Sequence, residues 1–269
     1  MIPLLFICRF LLGAFQGPLF PATAGGVIAR WFPSGSWALP NGMTSTALAL
    51  GSASTPPIIV YLAEYFGWQS TFFLISILGV IGTITWWKYS KNWPNEHPDI
   101  NQAELELIGE PDFNNNQMTW PMVKEVLKNK NILFTALGYM SMNYVFFIFY
   151  SWIFIYFVNI RGFDVLEGSM LASLPFLMGA IGATCGGYLC DRLQKRYGVI
   201  WGHRIPIIVG LIPSAGFLLF GSITEYPYLA VLSLSLCYGF IELTEGPFWS
   251  TIGFISDKPQ AAGGILNTG

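Results

Sequence analysis

Seven apolar stretches, each long enough to cross a bilayer and each bounded by charges or Gly/Pro clusters, recur along this chain. That recurrence limits the possible folds more than any motif does. A hydrocarbon core takes about twenty apolar residues per helical crossing, and a spanning segment must satisfy its own backbone polar groups. The stretches run over 2–29, 40–63, 69–88, 132–157, 167–190, 205–222 and 227–254, and an eighth opens near Ala261. Only 10% of the residues are charged, whereas soluble domains carry about 25%. The expectation is an all-α, multi-pass membrane protein. Cys8, Cys185, Cys190 and Cys237 fall in or beside the apolar runs at spacings that match no zinc or redox motif, and they read as small core residues.

Most links between the stretches are short, such as 64–68 and 224–227. Residues 91–130 differ, being polar, rich in acidic side chains and including Asn114-Asn115-Asn116. They read as a solvated connection between two helical bundles, 1–90 and 131–269. Within that link Asn101-Gln102-Ala103-Glu104 has the form of a helix N-cap with a carboxylate at the third position, which predicts a short surface helix.

Lysine and arginine sort by side. Links after alternate spans hold Arg30; Lys88, Lys91, Lys124, Lys128 and Lys130; Arg192, Lys195, Arg196 and Arg204; and Lys258. The opposite links hold only Arg161, a bias of eleven to one that makes the central link cytoplasmic and starts the first span outside. Met1 leads into that span without a basic n-region, so a cleavable signal is not expected. An outside start without a signal points to a truncated start at Met1 or to missing spans upstream, and the end at Asn267-Thr268-Gly269 inside a new apolar run points to the same downstream.

Inside the first span lies Arg9, a lone cation whose burial in lipid costs ~3 kcal/mol on insertion scales, so it is expected to face protein or a watery cavity. Gln16 follows seven residues later, two helical turns or roughly 10 Å along the same face. The segment Gln16-Gly17-Pro18-Leu19-Phe20-Pro21 can be laid on Glu245-Gly246-Pro247-Phe248-Trp249-Ser250, and Pro40 to Thr46 then falls on Ala262 to Thr268. Such a repeat implies two parallel halves of six spans, with this chain covering spans 4 to 10 and the start of 11 of twelve. Glu245 is then the counterpart of Gln16, and Glu242 lies three residues earlier on nearly the same face. Two carboxylates in one span are unexpected for lipid-facing positions. The Gly246-Pro247 interruption could also present backbone carbonyls to an ion such as sodium.

The chain resembles the major facilitator superfamily, and within it the anion:cation symporter family of sugar-acid and sialin-like carriers. The resemblance rests on Arg9-Phe10-Leu11-Leu12-Gly13 with Phe20-Pro21 and Trp31-Phe32-Pro33, on Gly67-Trp68, and on Trp93-Pro94-Asn95-Glu96-His97-Pro98-Asp99-Ile100 with Glu104 and Ile108. In the second half it rests on Trp152 with Tyr156, Leu174-Pro175, Gly186-Gly187-Tyr188-Leu189-Cys190-Asp191-Arg192 with Arg204, and Gly263-Gly264-Ile265-Leu266-Asn267.

The resemblance implies a secondary carrier of small organic anions that works by alternating access, with Arg9 meeting the substrate carboxylate through its guanidinium fork. Gln16, Ser45, Asn143, Tyr150 and Asn267 are further candidate substrate contacts, with Trp152 beside them. Asp191, Arg192 and Arg204 belong to a loop motif that holds helix ends together in one state and releases them in another.

Two departures from the family pattern matter. Gln16 stands where proton-coupled members carry a glutamate and cannot titrate, which moves the coupling role to Glu245, with Glu242 as second candidate. Ser36, Trp37 and Leu39 stand where a Glu-Arg pair and a second Arg are usual, which weakens the expected latch of the first half. The coupling ion, H+ or Na+, stays open, and neither a cofactor nor a metal is expected.

No phosphate-binding Gly-Lys-Ser/Thr loop supports an ATP-driven pump. His97 and His203 stand alone, so no catalytic triad or metal cluster converges by spacing. No basic aromatic patch points to nucleic acid. The expectation is a monomeric, non-enzymatic protein of the cell membrane whose partners are the lipid bilayer and the transported anion. The competing reading is a truncated or decayed carrier that acts, if at all, as a receptor-like or interaction protein.

Overall fold

A computed structural model of the protein describes residues 2–17, 22–109, 120–256 and 259–267. Asn114-Asn115-Asn116, the Pro18–Pro21 part of the first repeat, Lys258 and Thr268 lie outside the described residues. All regular structure among the described residues is helical: α1 (Ile2–Gln16), α2 (Ala38–Tyr89), α3 (Gln102–Ile108), α4 (Trp120–Lys128), α5 (Lys130–Ile155), α6 (Val165–Ile223), α7 (Pro227–Glu242), α8 (Glu245–Ile255) and α9 (Pro259–Asn267).

At 52 and 59 residues, α2 and α6 would run to roughly 80–90 Å if straight, far beyond a bilayer. Each folds back at one glycine with positive φ: Gly67 (φ 76°, ψ 156°) in α2 and Gly198 (φ 80°, ψ 170°) in α6. A side chain at either position would strain the left-handed backbone. The limbs 38–66 and 68–89, and 165–197 and 199–223, are thus separate crossings joined by the same kind of glycine turn. Both glycines fall in links read from the sequence.

Local chemistry sets the helix ends. Asn101 Oδ1 accepts from the Glu104 N–H at 2.8 Å while Glu104 Oε2 accepts from the Asn101 N–H at 3.2 Å, a reciprocal cap on α3. The predicted surface helix is therefore present, and Gly109 (φ 73°) ends it. Asn129 and Asp164 cap α5 and α6 by accepting from Asn131 and Leu166. At the end of α5 a wide π-helical turn, Tyr156–Ile160, delivers Arg161. Its guanidinium donates to the Tyr156 hydroxyl (2.7 Å) and to the carbonyls of Thr224 (2.7 Å) and Gly221 (3.0 Å). The lone cation of its side thus ties down the carbonyl end of α6.

The core lies in the second half. One face of α5, comprising Ile132, Tyr139, Met142, Phe149 and Ile153, packs with Phe176 of α6, Leu234, Cys237, Tyr238 and Ile241 of α7, and Phe248, Trp249 and Ile252 of α8. The first limb of α2 lies along α6 and α8. Arg30 stands 4.6 Å above the Trp93 ring, and Trp31 meets His97 edge-on at 5.7 Å, so the central-link signature docks onto the turn that follows the first span. Asn129 donates to the Ile255 carbonyl (3.3 Å), and Trp37 packs on Phe254. The links that carry Arg30, Lys91 and Lys128 therefore share one side of the molecule with the end of α8.

Candidate functional site

Between α7 and α8 a two-residue turn, Leu243-Thr244, interrupts the bonding of one 29-residue span while both residues keep right-handed helical backbone, and the two carboxylates flank this break. Glu242 and Glu245 are both buried, at 3% and 7% exposure. The break has a covalent cause: the Leu243 carbonyl would pair four residues on with Pro247, which has no N–H. Glu245 lies ten residues from Ile255 at the helix end, about 15 Å of helical rise, or near the middle of a hydrocarbon core of about 30 Å.

Glu245 Oε1 accepts from the Tyr139 hydroxyl at 2.8 Å and from Trp249 Nε1 at 2.9 Å. Trp249 Nε1 is also 3.1 Å from the Tyr139 oxygen, and the two rings meet edge-on. The second oxygen, Oε2, is buried and has no hydrogen-bond partner. Glu242 lies one turn beyond Tyr238 on α7, and a Cβ on Gly179 of α6 would press on both; Tyr238 itself packs with Phe146, Phe149 and Phe176. Thr244 fills the break, donating to Met142 Sδ (2.9 Å) and to the Ile241 carbonyl (2.8 Å).

The other sequence candidates divide into groups. Asn143 lies one turn beyond Tyr139 on α5 and is half-buried. Tyr150, two turns further, is exposed and stacks on Phe146 at 6.0 Å; Trp152 is exposed as well. Ser45 is buried and donates to the Asn41 carbonyl of its own helix (3.3 Å). Arg9 and Gln16 are exposed on α1, and Asn267 of α9 donates to the Gly17 carbonyl at 2.8 Å, beside Gln16. The structure thus gathers Glu242, Glu245 and Asn143 around one helix break and brings Asn267 to the end of α1. Arg9 stands apart from both groups.

Where the halves meet, the contact is made of small residues and one carboxylate. A Cβ on Gly187 of α6 would come within 2.6 Å of the Ala38 carbonyl oxygen, and one on Gly42 of α2 would overlap the Ala183 carbonyl. Gly246, next to Glu245, is held equally close to Ala38. Further along the same seam Thr46 and Thr184 share a 2.7 Å hydrogen bond. At its end Asp191 accepts from the N–H groups of Ala38 (3.1 Å) and Leu39 (2.9 Å), so an anion caps the first turn of α2.

Arg192 and Arg204, named with Asp191 from the sequence, are exposed, and Arg192 donates to the Tyr188 hydroxyl at 3.3 Å. Trp37 occupies the region where the Glu-Arg pair was expected. Its Nε1 donates to the Phe32 carbonyl (2.9 Å), and its ring lies over Gly253 and Phe254. The contact there is aromatic instead of ionic.

Asp191→Asn, still an acceptor, should keep the seam closed, whereas Asp191→Ala, which takes this acceptor from the Ala38 and Leu39 N–H groups, should favour opening. Spin-label distances between Lys91→Cys and Arg196→Cys in the complete carrier, stripped of its native cysteines, would report both effects.

Tyr139, Trp249 and Tyr238 escaped the sequence reading. Helical spacing was the available signal, since Tyr139 precedes Asn143 by four residues, Trp249 follows Glu245 by four and Tyr238 precedes Glu242 by four.

Comparison with known proteins supplies the family to which this arrangement, a buried carboxylate pair beside a small-residue seam, belongs. The sequence pattern of the Major Facilitator Superfamily matches residues 1–269, and the chain belongs to that superfamily. It is 31% identical to a protein of Bacillus subtilis named as a probable galactarate/D-glucarate transporter, covering 99% of this chain and 61% of that one. It is also 31% identical to the hexuronate transporter of the same organism, covering 98% of this chain and 62% of the relative. A probable sulfoacetate transporter of Cupriavidus necator is 30% identical over 99% of this chain and 62% of its own length. The chain thus spans about three-fifths of these relatives, all of them carriers of organic anions by name, as the resemblance to the anion:cation symporter family implies.

Proposed function

We propose that this chain forms the central part of a secondary carrier for small organic anions, sugar acids or related carboxylates, which moves them by alternating access with a cation, H+ or Na+. The observation that carries the reading is the buried carboxylate pair at a mid-depth helix break, one residue from the seam between the halves. Half-helices broken at the bilayer midplane are where carriers place substrate and coupling ions. The acids in the relatives' names, galactarate or glucarate, hexuronate and sulfoacetate, support an anionic cargo.

In this reading residues 1–90 belong to one six-helix bundle, 131–269 to the other, and 91–130 to a cytoplasmic link. Arg9 anchors the substrate carboxylate, while Gln16, Ser45, Asn143, Tyr150 and Asn267 meet its hydroxyls or its body. Glu245, with Glu242 behind it, exchanges the coupling cation, and Asp191, Arg192 and Arg204 serve the gate. In this reading the seam, on the Lys/Arg-rich side, closes the carrier toward the cytoplasm. Closure there and release of Asp191 from α2 are the two ends of the transport cycle.

Uptake of radiolabelled galactarate, glucuronate and sulfoacetate by the complete carrier in proteoliposomes, under an imposed proton or sodium gradient, tests the assignment. Saturable uptake of at least one acid is expected. Failure of every acid under both gradients would overturn the reading.

A further inference from the structure

Around Glu245 the bonding is lopsided. Oε1 takes two donors, the Tyr139 hydroxyl at 2.8 Å and Trp249 Nε1 at 2.9 Å, whereas Oε2 is buried without a partner. Both donors are themselves fixed. Tyr139 is 4% exposed and meets Phe248 and Trp249 edge-on at 5.6 and 5.8 Å. Trp249 is also 4% exposed and sits one helical turn beyond the carboxylate on α8. Neither ring can turn away without disturbing the core, so the carboxyl group is held in one orientation.

Resting on the reading of Glu245 as the coupling group, we infer that Tyr139 and Trp249 are positioning residues that close Oε1 to exchange and leave Oε2 as the atom that takes up and releases the coupling cation.

A consequence for motion follows from which helices the bonds join. The Trp249 bond lies within α8, but the Tyr139 bond crosses from α5 to α8. Hydrogen bonds to an ionised carboxylate are about twice as strong as neutral ones, so neutralising Glu245 at Oε2 weakens the α5–α8 tie and leaves the α8-internal bond as the remaining hold. The next residue is Gly246, packed against Ala38, whose N–H is held by Asp191. Cation occupancy thereby acts on the segment of α8 that butts against the other half, at the end of α2 that the gate holds. The same tie would do nothing for transport if it served only to pack the bundle, and the two roles separate by experiment.

In proteoliposomes containing the complete carrier, gradient-driven accumulation and gradient-free substrate exchange are measured for Tyr139→Phe and Trp249→Phe, each alone and combined with Glu245→Gln. Both substitutions keep an aromatic ring in place. Each alone should lower accumulation by about tenfold, as expected for losing roughly 1.4 kcal/mol of a bond to a charged group, while exchange stays within about twofold. In the Glu245→Gln background neither should change exchange further, because the group they act through has gone.

Normal accumulation in both single variants, with Glu245→Gln unable to accumulate, would overturn this inference and leave the coupling reading standing. Equal losses of exchange with and without Glu245 would also overturn it, since that is the mark of a packing role. Normal accumulation by Glu245→Gln itself would overturn both.

Discussion

Glu245→Gln in the complete carrier is expected to abolish gradient-driven accumulation, bringing the internal substrate to the level of the external one, while substrate exchange continues. The amide keeps the size and hydrogen-bonding capacity of the carboxyl group but cannot change charge, so Tyr139 and Trp249 retain a partner on Oε1. The bundle should therefore fold and rock with its cargo. What is lost is the one buried group at the break with an oxygen unpartnered among the described residues. Parallel measurement of net uptake and counterflow, in vesicles with the same protein content, checks this. Glu242→Gln should have the smaller effect, because Glu242 lies four residues before Gly246, which meets Ala38 at the seam, whereas Glu245 adjoins it.

Gly187→Leu should be the most disruptive substitution at the seam. A Cβ there would already press on the Ala38 carbonyl and the Leu39 Cα, at 2.6 and 2.8 Å. Backbone on both sides leaves nothing flexible to yield. Overpacking typically costs about 1–3 kcal/mol, and here the cost falls on the closed state, which shifts the balance between closed and open by about 5- to 150-fold. Transport should fall accordingly. The second-half core, built from α5 to α8 and not dependent on this contact, should keep the protein in the membrane. Lys91→Cys/Arg196→Cys spin labels should report a longer mean separation than in the parent, and an unchanged distance with full transport would show that the seam tolerates the side chain.

How much of this was legible in the sequence depends on which physical signal was local. The Asn101/Glu104 cap is decided within a few residues and is present as expected, and the folds at Gly67 and Gly198 fall in the links that separate apolar runs. The carboxylate pair was also visible, because charges in an apolar run stand out. Its partners were not. Tyr139 is 106 positions from Glu245, and among the chain's many aromatics no sequence feature marked that ring, although its four-residue offset from Asn143 was there to be used.

The contacts at the gate divide in the same way between local and tertiary signals. The absence of the usual Glu-Arg pair after Pro33 is a local fact, whereas Asp191 reaching back 153 positions to cap α2 and Trp37 lying on Phe254 are tertiary ones. Small residues such as Gly42, Gly187 and Gly246 also looked like ordinary membrane-helix composition. Only their opposition across the seam shows that each is needed for close approach.

The most direct test of the central claim, that a buried carboxylate at a helix break couples anion movement to a cation, is substrate-evoked ion flux. Vesicles holding the complete carrier and an internal proton or sodium indicator are given an external sugar acid, with no ion gradient imposed. The expected result is an inward flux of one of the two ions that starts with the substrate, saturates with it and vanishes in Glu245→Gln. Substrate entry with neither ion moving, or with an ion flux that Glu245→Gln leaves intact, would contradict it.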